Sequence, residues 1–444
     1  MAKQFFGTDG VRGTVGSDPM TADFAMRLAS AAAQVLVPAG GTVVIGKDTR
    51  LSGYMFESAL EAGFVAAGVN VLLIGPLPTP GISRLTQELN ADLGVVISAS
   101  HNVYSDNGIK FFDRSGSKLS DEMELKIEDQ LKNRAITLES QSLGKAKRID
   151  TARVSYQEFC AASVPKGVDL AGLKIVFDGA NGAGYKVGPR TLGMLGADVI
   201  PIGCSPNGKN INDGCGSTKP ELLQLTVPAL KADVGVALDG DGDRLVMVDE
   251  HGRLLDGDHL LYILAIARHR KGELKGPVIG TVMSNLGLEK ALQAENIAFR
   301  RAQVGDRYVL EALKETGGII GGETSGHMIV LDKATTGDGL ICALQVLAIM
   351  KETGKRLSDL AAGMYKYPQT MVNVRTAKRL DPSSSTAIQV AVAAAEAELA
   401  DTGRVVLRAS GTEPVIRVMV EGEDHELVAR IANRLASVVA SAAA

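Results

Sequence analysis

Short runs of aliphatic and β-branched residues, each closed by glycine or aspartate, alternate along this chain with alanine- and leucine-rich stretches of helical period. Such alternation predicts βα units built around mixed, largely parallel sheets. The first unit reads as a strand in TVVIGKDTR (42–50), a helix over 52–68, a strand in VNVLLIG (69–75) and a buried strand in ADLGVVIS (91–98). A charged, linker-like stretch near 113–155 separates it from a second unit, which opens with strand, glycine-rich turn and helix at LKIVFDGANGAG (173–184) and closes at ADVGVALDGDGDR (232–244). The third has helices over 258–271, 286–295, 306–316 and 337–352, with strands at PVIGTVMSN (277–285) and GGIIGGETSGH (317–327). The remainder differs: strand TMVNVRT, helix 384–400, strands RVVLRAS and PVIRVMVEG and helix 424–440 predict a smaller α+β domain. Domain limits are expected at 1–152, 153–254, 255–367 and 368–444.

Length agrees with this division, since 444 residues exceed what one hydrophobic core serves. The formal net charge of -4 is spread without long runs, so no basic face is available for a nucleic-acid backbone. No apolar run is long enough to cross a bilayer, and the start MAKQFFGTDGVRG lacks a signal-peptide core, so the expectation is a cytosolic chain without a membrane partner. Cys160, Cys204, Cys215 and Cys342 are widely spaced and contain no C-x-x-C, which predicts buried free thiols.

Chemistry concentrates where apolar strands end. LGVVI delivers Ser98, Ser100, His101 and Asn102 to the carboxyl edge of a sheet, where open α/β folds place their ligands. Ser100 is a candidate phosphoryl carrier; a helix cap or Asx turn is the plainer reading of that stretch taken alone. ALDGDGDR sets Asp239, Asp241 and Asp243 at alternate positions, with glycines that let the backbone curl until the carboxylates converge. Three hard oxygens suit Mg²⁺, and so close a set of like charges is costly without a cation. A calcium EF-hand is excluded because Arg244 stands where the loop needs glycine and a strand precedes it.

RASGTEPVIR offers an anion cradle: guanidinium forks from Arg408 and Arg417, hydroxyls from Ser410 and Thr412, and close backbone approach at Gly411. GGETSGH places Glu323, Ser325 and His327 on a strand-end loop suited to sugar hydroxyls and proton transfer. Lys110 is a candidate acid or base if burial lowers its pKa, and Arg12 lies in a glycine-rich turn from which it can reach a phosphate.

Taken in order, ISASHN, DGDGDR, GGETSGH and RASGTEPVIR resemble the four signature loops of the α-D-phosphohexomutase superfamily over essentially the whole chain. GTDGVRG, DNGIKFF and the Ser-Gly-Thr-Glu-Pro form of the last loop are similar to the branch acting on glucosamine phosphates; one departure is Val103, where the family loop usually has proline. The resemblance implies three similar α/β domains and a smaller C-terminal domain around a central cleft, carrying in turn the phosphoserine, metal, sugar and phosphate loops. It implies a phosphorylated Ser100, one Mg²⁺ held by Asp239, Asp241, Asp243 and that phosphate, and conversion of glucosamine 6-phosphate to glucosamine 1-phosphate through glucosamine 1,6-bisphosphate. Glu323 and Ser325 would bind the sugar, and Arg408, Ser410, Gly411, Thr412 and Arg417 the distal phosphate. Lys110, His101 or His327 would carry the proton, and Arg12 and Arg244 would stabilise the transferring charge. It also implies a hexosamine phosphate as the small-molecule partner, a role in amino-sugar precursors of the bacterial cell wall, and a homodimer as the candidate assembly. The rivals are a phosphomannomutase or phosphoglucomutase, a Mg²⁺-dependent sugar phosphatase using an aspartate nucleophile, and a silent sugar-phosphate binder.

Overall fold

The computed structural model describes residues 3–7, 9–376, 381–409 and 415–442. The apolar runs become the centres of sheets. Leu93–Ile97 and Val234–Leu238 are buried at every position, as expected for strands covered on both faces. In the first sheet Leu93–Ile97 and Val69–Pro76 flank Gly41–Lys47 in parallel, while Asp106–Asp113 adds antiparallel to Leu93–Ile97 and carries Gly10–Thr14 on its far side. The second sheet has parallel Lys174–Asp178, Asp198–Ile202 and Val234–Leu238, extended antiparallel by Leu245–Asp249. The third is Phe299–Ala302, Val278–Thr281 and Ile320–Gly322 in parallel, with Met328–Val330 antiparallel at its edge. The last, Gln369–Arg375, Val415–Gly422 and Gly403–Ala409, is wholly antiparallel and packs on helices Thr386–Leu399 and His425–Ala442.

Most predicted helices are found within one or two residues of their expected ends: Ser52–Ala66, Gly257–Arg270, Leu286–Ala294, Asp306–Thr316, Gly339–Thr353 and Thr386–Leu399. The linker-like stretch is the main correction. It holds a helix, Asp121–Gln130, capped by Ser120 and seated through Ile127 and Glu128, whose carboxylate accepts the backbone N–H groups of Gln4, Phe5 and Phe6. It also holds a strand, Ala146–Arg148, on the edge of Val69–Pro76. Arg12, expected in a turn, lies within strand Gly10–Thr14. The four cysteines are free, but Cys204 is only partly buried.

Two kinds of joint hold the parts together. One continuous core runs from Val44 and Phe112 of the first sheet through Leu77, Tyr156 and Phe177 to Leu238, Leu264 and Leu344. The C-terminal domain has its own core around Ile388, Val418 and Ile431. Among its described contacts with the third sheet's helices is a polar seat. The buried Glu421 carboxylate accepts Leu286 N at 2.9 Å and Asn285 Nδ2 at 3.1 Å and pairs with Arg404, whose other nitrogen donates to Ser284 O.

Candidate active site

Ser100 follows the buried strand Leu93–Ile97 in a left-handed conformation, φ +52°, which costs an L-residue roughly 1–2 kcal/mol unless neighbours hold it. The neighbours are specific. Ser98 Oγ accepts Ser100 N at 2.9 Å and donates to Asp48 at 2.5 Å. Arg50, fully buried and paired with Asp48, donates to the carbonyls of Ser100 (3.2 Å) and Asn102 (2.6 Å). Asn212, from the second sheet's domain, donates to the same two carbonyls at 2.9 and 3.0 Å. With its backbone so fixed, the Ser100 hydroxyl donates to Asp239 Oδ2 at 2.6 Å; His101 Nδ1 lies 3.5 Å away, at the limit of contact.

Asp239, Asp241 and Asp243 do converge. One oxygen from each lies within 4.8 Å of the others, all three residues are buried, and no other such group occurs among the described residues. Gly240 lets the loop lie against the serine: a Cβ there would sit 2.6 Å from Ser100 O. Asp241 is anchored by Thr79 (2.7 Å) and Lys110 (2.9 Å). Burial and the two neighbouring carboxylates push Asp239 well above the ordinary range, while Lys110 and Thr79 overcome burial to hold Asp241 below it. One oxygen each of Asp241 and Asp243 is buried without a protein hydrogen bond. Clustered hard oxygens with unsatisfied acceptors and uncompensated charge fit a divalent cation.

The surrounding cations form a chain. Burial opposes the charge on Lys110, but Asp241 and Asp9, each at 2.9 Å, raise its pKa. This is opposite to the shift a lysine base needs. Asp9 also pairs with Arg12 and with Lys118, which reaches Asp306 at 2.5 Å. His327 stands 3.6 Å from both Asp243 and Asp306; despite burial these raise its pKa to about 9. His101 is the opposite case: burial, Arg244 and Arg12 lower it to about 4, leaving a neutral imidazole beside Ser100. Arg244 lies 4.0 Å from Asp243.

Glu323 accepts Gly305 N at 2.9 Å, and Ser325 is exposed. Both line a crevice of about 250 Å³ with Arg244, Arg408 and Arg417. Arg408 and Arg417 face each other in register on neighbouring strands, so both side chains stand on one face of the last sheet. Ser410, Gly411 and Thr412 lie outside the described residues. The sequence reading missed Asp48, Arg50, Thr79, Asn212, Asp9, Lys118 and Asp306. Only GKDTR, a charged cluster closing an apolar strand, carried a signal that could have found two of them.

Residues 3–136, 155–252, 256–367 and 371–438 match, in order, the alpha/beta/alpha domains I, II and III and the C-terminal domain of phosphoglucomutase/phosphomannomutase. The chain is 55% identical over 444 residues to the phosphoglucosamine mutase of Methylococcus capsulatus, covering 100% of this chain and 99% of that protein. It is 56% identical over 443 residues to that of Aeromonas hydrophila, covering 100% of both. A phosphoglucomutase/phosphomannomutase family protein of Burkholderia thailandensis superposes with TM-score 0.82 at 25% identity over 98% of this chain and 97% of that one. N-acetylphosphoglucosamine mutase of Aspergillus fumigatus, in complex with GlcNAc-6P and magnesium, has TM-score 0.71 at 19% identity over 99% and 96%, a likeness of fold.

Proposed function

This chain belongs to the phosphoglucomutase/phosphomannomutase family, and from that premise we propose that its cleft shuttles a phosphoryl group between Ser100 and a hexosamine phosphate. It is an isomerase that interconverts glucosamine 6-phosphate and glucosamine 1-phosphate, the reaction named by relatives 55–56% identical over full length. The observation that carries the reading is the Ser100 hydroxyl, 2.6 Å from one of three buried carboxylates contributed by a different sheet. A phosphatase with an aspartate nucleophile has no need of a serine pinned there.

Ser100, when phosphorylated, donates its phosphoryl group to the sugar's 1-hydroxyl. The Oγ–P bond breaks as the O1–P bond forms, and the hydroxyl proton passes through a base, for which the neutral His101 is suited, to the departing Ser100 Oγ. Asp239, Asp241 and Asp243 would hold Mg²⁺, which when bound offsets the phosphoryl charge as a Lewis acid. Lys110, Arg12 and Arg244 supply fixed positive charge around the transferring group, and His327, held cationic, belongs with them rather than with the bases. The resulting glucosamine 1,6-bisphosphate turns around, and its 6-phosphoryl group returns to Ser100.

Turning demands a distal site that treats both ends alike. Arg408 and Arg417, with Ser410, Gly411 and Thr412, would grip whichever phosphate is not reacting, while Glu323 and Ser325 bind hydroxyls in either pose. Units limited at 152, 254 and 367 assign one part of this site to each domain. The test is ³¹P NMR with Mg²⁺, glucosamine 6-phosphate and a trace of the 1,6-bisphosphate. A 1-phosphate resonance that grows with the native protein and not with Ser100→Ala is expected. Steady release of inorganic phosphate by both would transfer the chemistry to the aspartates and overturn the reading.

A further inference from the structure

Asn212 lies in the loop after strand Asp198–Ile202, far in sequence from the serine and the acidic loops, yet it sits between them. Its Nδ2 donates to the carbonyls of Ser100 and Asn102 at 2.9 and 3.0 Å, and a Cβ on Gly240 would lie 2.7 Å from that same nitrogen. Arg50 donates to the same two carbonyls from the serine's own domain. Each carbonyl therefore receives one donor from either side of the interdomain seam. Two donors on Ser100 O fix the peptide that follows the left-handed serine and leave the hydroxyl directed at Asp239.

The other half of the amide is informative. Asn212 Oδ1 is buried and has no protein hydrogen bond, so this side chain is held there by its donor end alone. The contacts that this amide makes at the serine loop are thus those of its nitrogen to two carbonyls. Asn212 itself has φ +58°, a conformation that asparagine and glycine adopt more readily than other residues.

We propose that Asn212 is a positioning residue, registering the Ser100 loop against the Asp239–Asp243 loop so that the serine Oγ meets its carboxylate partner. The proposal rests on Ser100 being the phosphoryl carrier. Arg50 alone holds the serine within its own domain; Asn212 ties it to the domain bearing the acidic loop.

Asn212→Gly is the cleanest perturbation, because glycine keeps the left-handed backbone and removes only the amide. Asn212→Asp keeps the shape and turns an acceptor toward two carbonyls. Thr49→Val is the control: Thr49 Oγ1 donates across the same seam to Asn181 O at 2.5 Å rather than to the serine loop. With misplacement by about 1 Å worth about 100-fold in rate, Asn212→Gly should lower kcat about 10- to 100-fold and leave KM for glucosamine 6-phosphate within about twofold. It should also shift the phosphoserine ³¹P resonance, and Asn212→Asp should be at least as impaired. Thr49→Val should lower the melting temperature without changing kcat or the resonance. A native protein with no phosphoserine resonance would sink the carrier reading itself. A native resonance that Asn212→Gly leaves unmoved, with kcat within about twofold, or equal kcat losses in Asn212→Gly and Thr49→Val, would sink the positioning role alone.

Discussion

Gly240 offers a direct test of how tightly the two loops are built against each other. An alanine Cβ there would lie 2.6 Å from Ser100 O, 2.7 Å from Asn212 Nδ2 and 2.8 Å from Ile211 Cδ1. None of the first two can yield cheaply, since the carbonyl is tied to Arg50 and Asn212. The acidic loop must therefore retreat by roughly half an ångström or more, at an overpacking cost of about 1–3 kcal/mol. With about 1 Å worth about 100-fold, kcat in Gly240→Ala should fall at least about tenfold. KM should stay within about twofold, because the sugar loop and the paired arginines lie elsewhere. Initial rates of glucosamine 1-phosphate formation at saturating substrate, with thermal melting alongside, measure both. Gly193→Ala is the matched control: it lies in helix Val187–Met194 with nothing within 4 Å of the added carbon, and alanine there should be neutral or mildly stabilising. A Gly240→Ala protein with kcat within about twofold of the native value would refute the argument that these loops touch in the working enzyme.

Removing the seat of the C-terminal domain with Glu421→Ala leaves Leu286 N without its acceptor and the Arg404 charge without its partner, and should cost about 3 kcal/mol of stability at this joint. Limited proteolysis should then cut near Lys366–Gln369 faster than in the native protein, and an unchanged digestion pattern would count against the seat. Asp338 caps helix Gly339–Thr353 and accepts the Tyr156 hydroxyl at 2.8 Å, but burial pushes its carboxyl up to about 6 from an ordinary 3.8. The folded chain thus binds this proton more tightly than the unfolded one. Its contribution favours folding most at low pH, falls as pH rises from about 4 to about 6, and is then a constant penalty of about 3 kcal/mol. Asp338→Asn, which retains a capping oxygen, should match the native melting temperature near pH 4 and exceed it above pH 6; a gap that does not widen with pH would disprove this.

What the sequence displayed was whatever burial on both faces writes into composition. Leu93–Ile97 and Val234–Leu238 are unbroken apolar runs because helices or sheets cover both sides, and the loops at their ends are therefore easy to locate. The carboxylates at 239, 241 and 243 were legible for another reason, since alternate spacing with glycine between them has few other uses. Helix Asp121–Gln130 was lost among charges because only Ile127 and Glu128 of it are buried, too few to print a period. Ala146–Arg148 is exposed at all three positions and exists because Val69–Pro76 has an open edge, which no local pattern announces. Arg50 and Asn212 escaped for a deeper reason. Their partners are backbone carbonyls, which every residue has, and one of the two reaches them across a domain boundary. Lys110 was visible as a residue but not as an ion, because its charge state depends on Asp9 and Asp241 arriving from separate segments.

One greasy core shared by the first three domains and a polar seat for the fourth give the two joints unequal strength. Hydrogen bonds at the seat exchange with water at small net free energy, whereas parting the shared core would expose a continuous apolar surface. The fourth domain is thus the one that parts from the rest at the least cost. The grip of Glu421 on Asn285 and Leu286 therefore sets how firmly the fourth domain is held while leaving the core joining the other three untouched.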